Sequence, residues 1–331
     1  MKKIILVFAA LLLVINVTAC KKVEQDPNLP NIGIAKLISH NSLNEAENGI
    51  RDELEAQGIR ANIQIQDANN DLSTINQIAN KFKSDKLDVA VGIATPVTVS
   101  LFNTLENTPI VFTAVTDPVA AGFAVSSTQG KKNITGVTDA IPIKEQLMEF
   151  KKIYDFKRLG VIYTSSEPNS VSMVKTTQKA CDELGVKLVL QAINSPSELK
   201  QATEGLANRV DAFYCFTDNS IATAMASLTD MAKQYHKPVF GGDITPTLHG
   251  GVVYALGFSY YEMGRMTGQL IVDILNGKST DELPILTLTD KKYYNKLIDL
   301  DTAKYLGIKI DDALIQEAKY IIKDQKLTVK E

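Results

Sequence analysis

The chain lacks tryptophan and has only three histidines among its 331 residues. His40, His236 and His249 are not spaced as HxxxH or HExxH, which argues against a zinc site. No GxGxxG follows the first strand-like segment and no GxxxxGK[ST] is present, so the sequence marks of dinucleotide and P-loop phosphate binding are absent. We therefore expect no metal and no cofactor.

An excess of charge of one sign is also missing, since the formal net charge is −3. A nucleic-acid-binding surface normally shows a strong basic excess, so we expect no nucleic-acid partner. Cysteine is scarce as well: apart from Cys20, the chain has only Cys181 and Cys215, in a helix-like and a strand-like stretch. Two such thiols favour buried small hydrophobes over a disulfide framework.

The apolar run at residues 4–17 is shorter than the roughly 20 residues of a transmembrane helix. It follows two lysines and precedes small residues, a pattern typical of a secretory signal, which we place at residues 1–19. The ending VTAC looks like a bacterial lipobox, in which Cys20 is lipidated; an ordinary signal peptide with an incidental cysteine is the alternative. Residues 20–30 then form a lipid-anchored tether.

Apolar strand-like runs alternate with amphipathic helix-like segments along residues 31–137 and again along residues 143–275. That alternation indicates βαβ units with parallel sheets. A chain of this length usually forms two lobes, because single cores stop growing near about 250 to 300 residues. We therefore predict a two-lobed α/β protein. We interpret residues 293–322 as short helices that cover a sheet face.

Small polar or acidic side chains follow five of the predicted strands. Two parallel sheets facing each other across one cleft would bring these strand exits together, at the edge where open α/β sheets bind ligands. Residues 158–173 (RLGVIYTSSEPNSVSM) show the pattern most clearly, because a buried strand runs into hydroxyls, a carboxylate and a helix start. For any single exit, helix capping alone is the alternative. The candidates are Thr95, Thr116, Asp117, Ser165, Ser166, Glu167, Asn169, Ser170, Thr217, Asp218, Asn219 and Asp243.

A Ser/His/Asp arrangement from Ser166, His249 and Asp243 is conceivable by composition alone. No GxSxG elbow supports it, so we predict no catalytic residues. A surface-anchored hydrolase is the alternative from a different functional class.

Four segments, together with the lipobox, resemble one family of proteins. They are residues 112–118 (FTAVTDP), 163–170 (YTSSEPNS), 217–219 (TDN) and 257–264 (GFSYYEMG). The family is that of ABC-transporter substrate-binding proteins with tryptophan- and tyrosine-binding (TrpX-like) members, and the resemblance covers essentially the whole mature chain. It implies the type I periplasmic-binding-protein architecture, in which two Rossmann-like lobes joined by three hinge crossings enclose a ligand in the cleft between them.

The chain departs from the family pattern at two places in the presumed cleft. Where many relatives read HPALD after the first strand, this chain reads HNSLN at residues 40–44, and Asp243 stands where Glu is common. Both departures bear on the ligand's side chain more than on the binding role. We interpret His40 either as stacking on a ligand ring or as capping the first helix.

An amino-acid ligand would need several neutral donors around its α-carboxylate, because a buried anion must be hydrogen-bonded or paired. We expect the hydroxyls of Thr95, Ser165 and Ser166 to supply them, together with the N–H groups of the helix that opens after Pro168.

The α-ammonium would need a carboxylate, for which we expect Asp218 or Asp243, with Glu167 as the third choice. An aromatic ligand side chain would need a pocket with few polar groups. Four aromatic residues near the strand ends either line that pocket or belong to the core: Phe112, Tyr163, Phe216 and Tyr260.

These observations predict an extracytoplasmic, lipid-anchored monomer that binds an aromatic amino acid of the tryptophan, tyrosine or phenylalanine type and delivers it to an ABC permease. A nucleoside or another small polar solute is the alternative ligand. The expected lobes are residues 31–140 plus about 252–284, and residues 141–251 plus about 285–331. The expected hinge crossings are residues 139–142, 250–251 and 284–290.

Overall fold

The computed structural model describes residues 26–288 and 293–330. The predicted signal peptide and Cys20 lie outside the described residues and stay predictions. Within the described part of the chain, none of the helices has the length and apolar character needed to cross a membrane.

The described strands, in chain order, form two large sheets and one hairpin. They are β1 (Asn31–Lys36), β2 (Asn62–Asp67), β3 (Val89–Ile93), β4 (Ile110–Val115), β5 (Ala124–Ser126), β6 (Gln129–Gly130), β7 (Ile134–Thr138), β8 (Arg158–Thr164), β9 (Lys187–Ile193), β10 (Ala212–Cys215), β11 (Val239–Gly241), β12 (Tyr254–Phe258), β13 (Leu286–Thr287), β14 (Tyr294–Asp299), β15 (Tyr320–Lys323) and β16 (Lys326–Val329).

The described α-helices connect and cover these strands. They are α1 (Asn41–Ala56), α2 (Leu72–Ser84), α3 (Thr95–Thr104), α4 (Ile143–Ile153), α5 (Pro168–Leu184), α6 (Leu199–Ala207), α7 (Asn219–Thr223), α8 (Met225–Gln234), α9 (Tyr260–Leu275), α10 (Leu300–Tyr305) and α11 (Asp312–Glu317). Helices α7 and α8 are separate because the backbone leaves helical geometry at Ala224.

The first sheet is entirely parallel, in the order β2-β1-β3-β4-β7-β13. Every residue of β3, β4 and β7 is buried, as expected for parallel strands covered on both faces. The edge strand β2 instead leaves Ile63 and Ile65 partly exposed. We call this sheet, with α1–α3 and α9, the first lobe.

The second sheet has the order β9-β8-β10-β11-β12-β14-β15-β16. Strands β8 to β12 are parallel, β14 runs antiparallel to β12, and β16 runs antiparallel to β15. We call this sheet, with α4–α8, α10 and α11, the second lobe. Both sheets reverse their strand order beside their first strand, and such points in α/β sheets form ligand crevices at the carboxyl ends of the strands.

Helix α9 follows a strand of the second lobe but packs against α1 of the first. The two helices approach so closely that a Cβ on Gly49 would meet the carbonyl oxygen of Tyr261, and one on Gly264 would meet that of Ala46. Only glycine allows this backbone contact, so the pair fixes α9 to the first lobe.

The sheet topology contradicts part of the expected lobe boundaries. Strand β12, expected in the first lobe, pairs with β11 and β14 of the second. The chain therefore crosses between lobes at residues 258–260, and not at residues 250–251. Strand β13, expected in the second lobe, pairs with β7 of the first, so the third crossing lies after residue 287.

The interpretation of residues 293–322 as short helices is wrong in large part. Helices α10 and α11 are present, but β14 and β15 extend the second sheet and β16 continues it to Val329. Strand β14 is buried only in its second half, and pairing with β12 and β15 stabilises it more than its own sequence pattern does.

Candidate ligand-binding site

A small cavity of about 20 Å³ lies between the carboxyl ends of the two sheets. Its lining comes from both lobes: His40, Leu43, Ala114, Thr116, Asp139 and Tyr260 from the first lobe and the adjoining crossings, and Asn169, Thr217, Asp218, Asn219, Ala222 and Asp243 from the second. The volume suits about one water molecule, so a ligand as large as an amino acid must part the lobes slightly on entering. Four of the five predicted strand exits thus meet across one cleft, whereas Thr95, at the exit of β3, does not line the cavity.

Two strand exits of the first lobe hold strained backbone. Ala94, just before α3, has φ 85°, and Ala114, which lines the cavity, has φ 54°. The pairing of β4 with β7 also shifts register between Phe112 and Val115. Positive φ at non-glycine residues and irregular strands cluster at functional sites, where they redirect side chains and main-chain groups toward a ligand.

Asp218 was expected to bind an ammonium group, but its carboxylate is already fully used within the second lobe. It accepts hydrogen bonds from the Thr164 N–H (2.7 Å), the Thr164 hydroxyl (2.8 Å), the Ser170 hydroxyl (2.7 Å) and the Ile221 N–H (3.0 Å). These donors tie β8, α5 and α7 together. Asp218 therefore forms part of the cavity wall, and Ser170 holds its carboxylate in place without lining the cavity itself.

Glu167 is occupied in the same way. Its carboxylate accepts hydrogen bonds from the side chains of Asn169, Asn219 and Ser220 and from the N–H groups of the last two. Burial is the main cause that raises the pKa of Glu167 to about 7, and the nearby Asp218 adds to the rise. This residue holds the start of α7 in place and is not the free carboxylate that the sequence suggested as third choice.

Asp243 has the properties expected of an ammonium-binding carboxylate. It lines the cavity and accepts hydrogen bonds from the Ser42 hydroxyl (2.7 Å), across the cleft, and from the Thr245 N–H (2.9 Å). Burial raises its pKa to about 7, and the nearby Asp139 contributes to the rise.

Asp139, which we expected only in a hinge crossing, is a further cavity carboxylate beside Asp218 and Asp243. It is 3% exposed and accepts a hydrogen bond from the Tyr260 hydroxyl (3.0 Å), and burial raises its pKa. The signal was available, because Asp139 directly follows β7 as the other candidates follow their strands. No lysine or arginine lines the described cavity, so none of these carboxylates has a cationic partner there.

Several buried polar atoms around the cleft have no hydrogen-bond partner within the described structure. They are His40 Nδ1, Asp139 Oδ1, Asn169 Oδ1 and Thr217 Oγ1, whose residues line the cavity, and Thr95 Oγ1 at the start of α3. Buried polar groups are nearly always satisfied in folded proteins. Four unpartnered atoms in the wall of one cavity therefore indicate that a polar ligand completes them.

Two helices, one from each lobe, begin at the strand exits that face the cleft. Helix α3, which begins at Thr95, and α5, which begins at Pro168, contact each other across the cleft, and neither has a capping side chain. The N–H groups and the positive end of a helix dipole favour anions. The Thr95 hydroxyl, 2% exposed, adds a neutral donor at the start of α3.

His40 lies in the cavity wall and its Nε2 is 3.3 Å from Asn219 Oδ1 in the other lobe. Burial lowers its pKa to about 4, so the imidazole is neutral near pH 7. Its side chain does not cap α1, which excludes one of its two expected roles.

Some predicted site residues lie outside the cavity. Ser165 and Ser166 are exposed, and the Ser165 hydroxyl bonds Asn194 (2.7 Å) within the second lobe, so the structure does not support their expected role as carboxylate donors. Asp117 accepts a hydrogen bond from Ser172 at the cleft rim (2.7 Å), whereas Thr116 does line the cavity. Of the four aromatic candidates, only Tyr260 reaches the cavity; Phe112 and Phe216 belong to the core.

An open groove of about 1270 Å³ adjoins the cavity and shares His40, Ala222 and Tyr260 with it. Its lining includes Met225 and Phe258, so a large apolar group can extend into it from the cavity.

The residues of the conceivable hydrolase triad do not form one. Ser166 is exposed and lines neither cavity nor groove, and the Asp243 carboxylate is directed to Ser42 and Thr245. His249 Nε2 lies 3.5 Å from the Asn41 side chain. No group of three or more metal-ligating side chains is present among the described residues.

Comparisons with known proteins agree with this geometry. A curated relative described as a tyrosine-binding protein, from Clostridioides difficile (strain R20291), is 33% identical over 300 residues, which cover 89% of this chain and 85% of the relative.

Two solved structures bear on the conformation. An ABC domain from Streptococcus pneumoniae in complex with L-Trp matches with a TM-score of 0.84 at 26% identity, over 89% of this chain and all of that one. A ligand-free, open substrate-binding protein with adhesive properties from Clostridium difficile matches with a TM-score of 0.68 at 31% identity, over 89% of this chain and 99% of that one. The backbone described here is thus more similar to the L-Trp complex than to the open structure.

A family model for ABC transporter substrate-binding proteins matches residues 31–322, which is nearly all of the described chain. With two α/β lobes, three crossings and a cleft lined from both sides, this protein belongs to the family of ABC transporter substrate-binding proteins and has their type I periplasmic-binding-protein fold.

Proposed function

We propose that this protein binds a free amino acid with a large aromatic side chain, of the tyrosine or tryptophan type, and delivers it to an ABC permease without performing chemistry. Substrate-binding proteins of ABC transporters work outside the cytoplasm, with a small-molecule ligand and a membrane permease as partners. The relatives named for tyrosine and crystallised with L-Trp support an aromatic ligand.

The observation that carries the proposal is the pair of buried carboxylates without a cationic partner. Asp139 and Asp243 both line the cavity, and a buried charge is tolerated only when it is paired or neutralised. An α-ammonium group would supply the missing positive charge. A neutral nucleoside would leave both carboxylates unpaired, which argues against the alternative ligand.

The α-carboxylate is assigned to the donors at the opposed helix starts. The Thr217 hydroxyl lines the cavity, and the buried Thr95 hydroxyl and the N-termini of α3 and α5 would border it once a ligand has enlarged it. Together they can bind the carboxylate without adding a charge to the site. Because the carboxylate and the ammonium group would bind different residues, the zwitterion would have one preferred orientation. The ligand's ring would then lie against Tyr260 and His40 and extend toward the adjoining groove.

The lipid anchor is part of the same proposal. Lipidation of Cys20 would hold the protein at the membrane, with residues 20–30 as a tether, so that a closed lobe pair can reach the permease. Labelling cells with a radioactive fatty acid should mark the wild-type protein and not Cys20→Ala.

Titration calorimetry with L-tyrosine, L-tryptophan, L-phenylalanine, L-leucine and uridine tests the ligand class. The absence of tryptophan from the chain also makes fluorescence of added L-tryptophan readable without background. We expect the aromatic amino acids to bind, and L-tyrosinamide, which lacks the carboxylate, to bind more weakly. Absence of binding and of a thermal shift with aromatic amino acids at millimolar concentration would rule the proposal out.

A further inference from the structure

We propose that a hydrogen bond between Ser172 and Asp117, at the rim of the cleft, holds the lobes closed and sets how long a ligand stays bound. The proposal rests on the proposed function in that it concerns the same cleft. Neither residue lines the cavity or the groove, so neither contacts the ligand.

The bond joins the two lobes directly. Asp117 follows β4 of the first lobe, Ser172 lies in the second turn of α5 of the second lobe, and their Oδ2 and Oγ atoms are 2.7 Å apart. The other side-chain hydrogen bonds from the first lobe to the second involve residues that line the cavity or the groove, such as Ser42 with Asp243. Among the described residues, the bond at the rim is thus the side-chain hydrogen bond between the lobes that can act on closure without acting on the ligand.

Both partners are held in position before they meet. The Ala120 N–H donates to the other oxygen of Asp117 (2.8 Å), which fixes the orientation of the carboxylate. Helix α5 is held at its start, because Ser170 and Asn169 bond to the buried Asp218 and Glu167. Little side-chain entropy is then lost when the hydroxyl reaches the carboxylate, so most of the bond energy favours the closed form.

Ligand binding and lobe closure are thermodynamically linked. Parting the lobes breaks this bond and exposes both groups to water, so the bond adds to the closed form a free energy that the open form lacks. Because the pair is only partly buried, we expect its loss to weaken ligand affinity by roughly 3- to 10-fold. The bond forms whenever the lobes close, and a bound ligand leaves only when they part, so the change in affinity should be in the dissociation rate.

The test is a stopped-flow chase of bound L-tryptophan by excess L-tyrosine. Ser172→Ala should dissociate roughly 3- to 10-fold faster than wild type, and Asp117→Asn, which keeps an oxygen for the Ala120 N–H, should give a smaller acceleration. The double variant should dissociate no faster than Ser172→Ala alone, because one bond is lost only once. Ser165→Ala is the matched control, since its hydroxyl bonds Asn194 within one lobe.

Dissociation of Ser172→Ala at the wild-type or control rate would overturn the proposal. If neither amino acid binds wild type or any variant, the proposed function fails. Small-angle scattering of the ligand-free proteins then tests the role of the Ser172–Asp117 bond independently. Without added ligand, Ser172→Ala should then show a larger radius of gyration than wild type and Ser165→Ala. Identical scattering of all three proteins would overturn it.

Discussion

Replacing Asp243 by asparagine tests the assignment of the ammonium site most directly. The change keeps the size of the side chain and an oxygen for the Ser42 hydroxyl, but it removes the charge. Truncating one member of a desolvated charge pair costs about 2 to 5 kcal/mol. Because Asp139 remains in the cavity, we expect the lower half of that range, about 2 to 3 kcal/mol, which is roughly a 30- to 150-fold rise in Kd for L-tyrosine.

The stability of the variant separates a binding role from a folding defect. The pKa of Asp243 in the fold, about 7, is higher than its ordinary value of 3.8. Its contribution to stability is therefore complete below the ordinary value and is lost as the pH rises through about 7. At pH 8 the buried charge is a cost that asparagine removes, so the thermal midpoint of Asp243→Asn should equal or exceed that of the wild type.

Calorimetry at pH 8 supplies the affinity and differential scanning fluorimetry the midpoint. Asp182→Asn is the matched control, because this exposed carboxylate on α5 bonds only Gln178 of the same helix. Asp139→Asn should weaken binding to a similar degree. If both cavity variants bind L-tyrosine within threefold of the wild type, the pairing of the ammonium group with these carboxylates is refuted.

Three further predictions follow from the same contacts. Asp218→Asn should lower the free energy of unfolding by about 2 to 4 kcal/mol, because four buried donors lose a charged acceptor. Urea titration measures this, and an unchanged midpoint would contradict the role of Asp218 in joining β8, α5 and α7. Affinity for L-tyrosine should rise from pH 5 to pH 8, because the ammonium group needs Asp243 ionised, and binding at pH 6 should release protons. Calorimetry at pH 6 in buffers of different ionisation enthalpy measures the release, and proton uptake at that pH would refute the assignment. Thr95→Val should weaken L-tyrosine binding about 3- to 30-fold and leave that of L-tyrosinamide nearly unchanged, whereas equal losses for both ligands would exclude a carboxylate contact.

The sequence was sufficient to predict the α/β class, the two lobes and the cleft. Buried parallel strands read as apolar runs, and polar residues at their exits must meet at one edge of each sheet, as Thr116, Thr217 and Asp243 do. These features depend on patterns within short segments. A single sequence displays such patterns directly.

The sequence could not distinguish the free carboxylates from the occupied ones. Asp218 and Asp243 both follow a buried strand, yet four donors surround the first and only two the second. Those donors come from neighbouring strand exits and helices, so their number depends on tertiary contacts. The strands β14 to β16 were missed for a similar reason, because pairing between distant segments defines them.

The interleaving of the lobes along the chain has a consequence for biogenesis. The first lobe needs α9 and β13, and the second needs β14 to β16, so neither is complete before residue 287 has emerged from the ribosome. Domains that are continuous in sequence can fold one after another during synthesis. Here neither lobe can complete its folding until the last segments have been synthesised. The chain would therefore stay largely unfolded, as translocation through a secretion channel requires, and would fold after it has crossed the membrane.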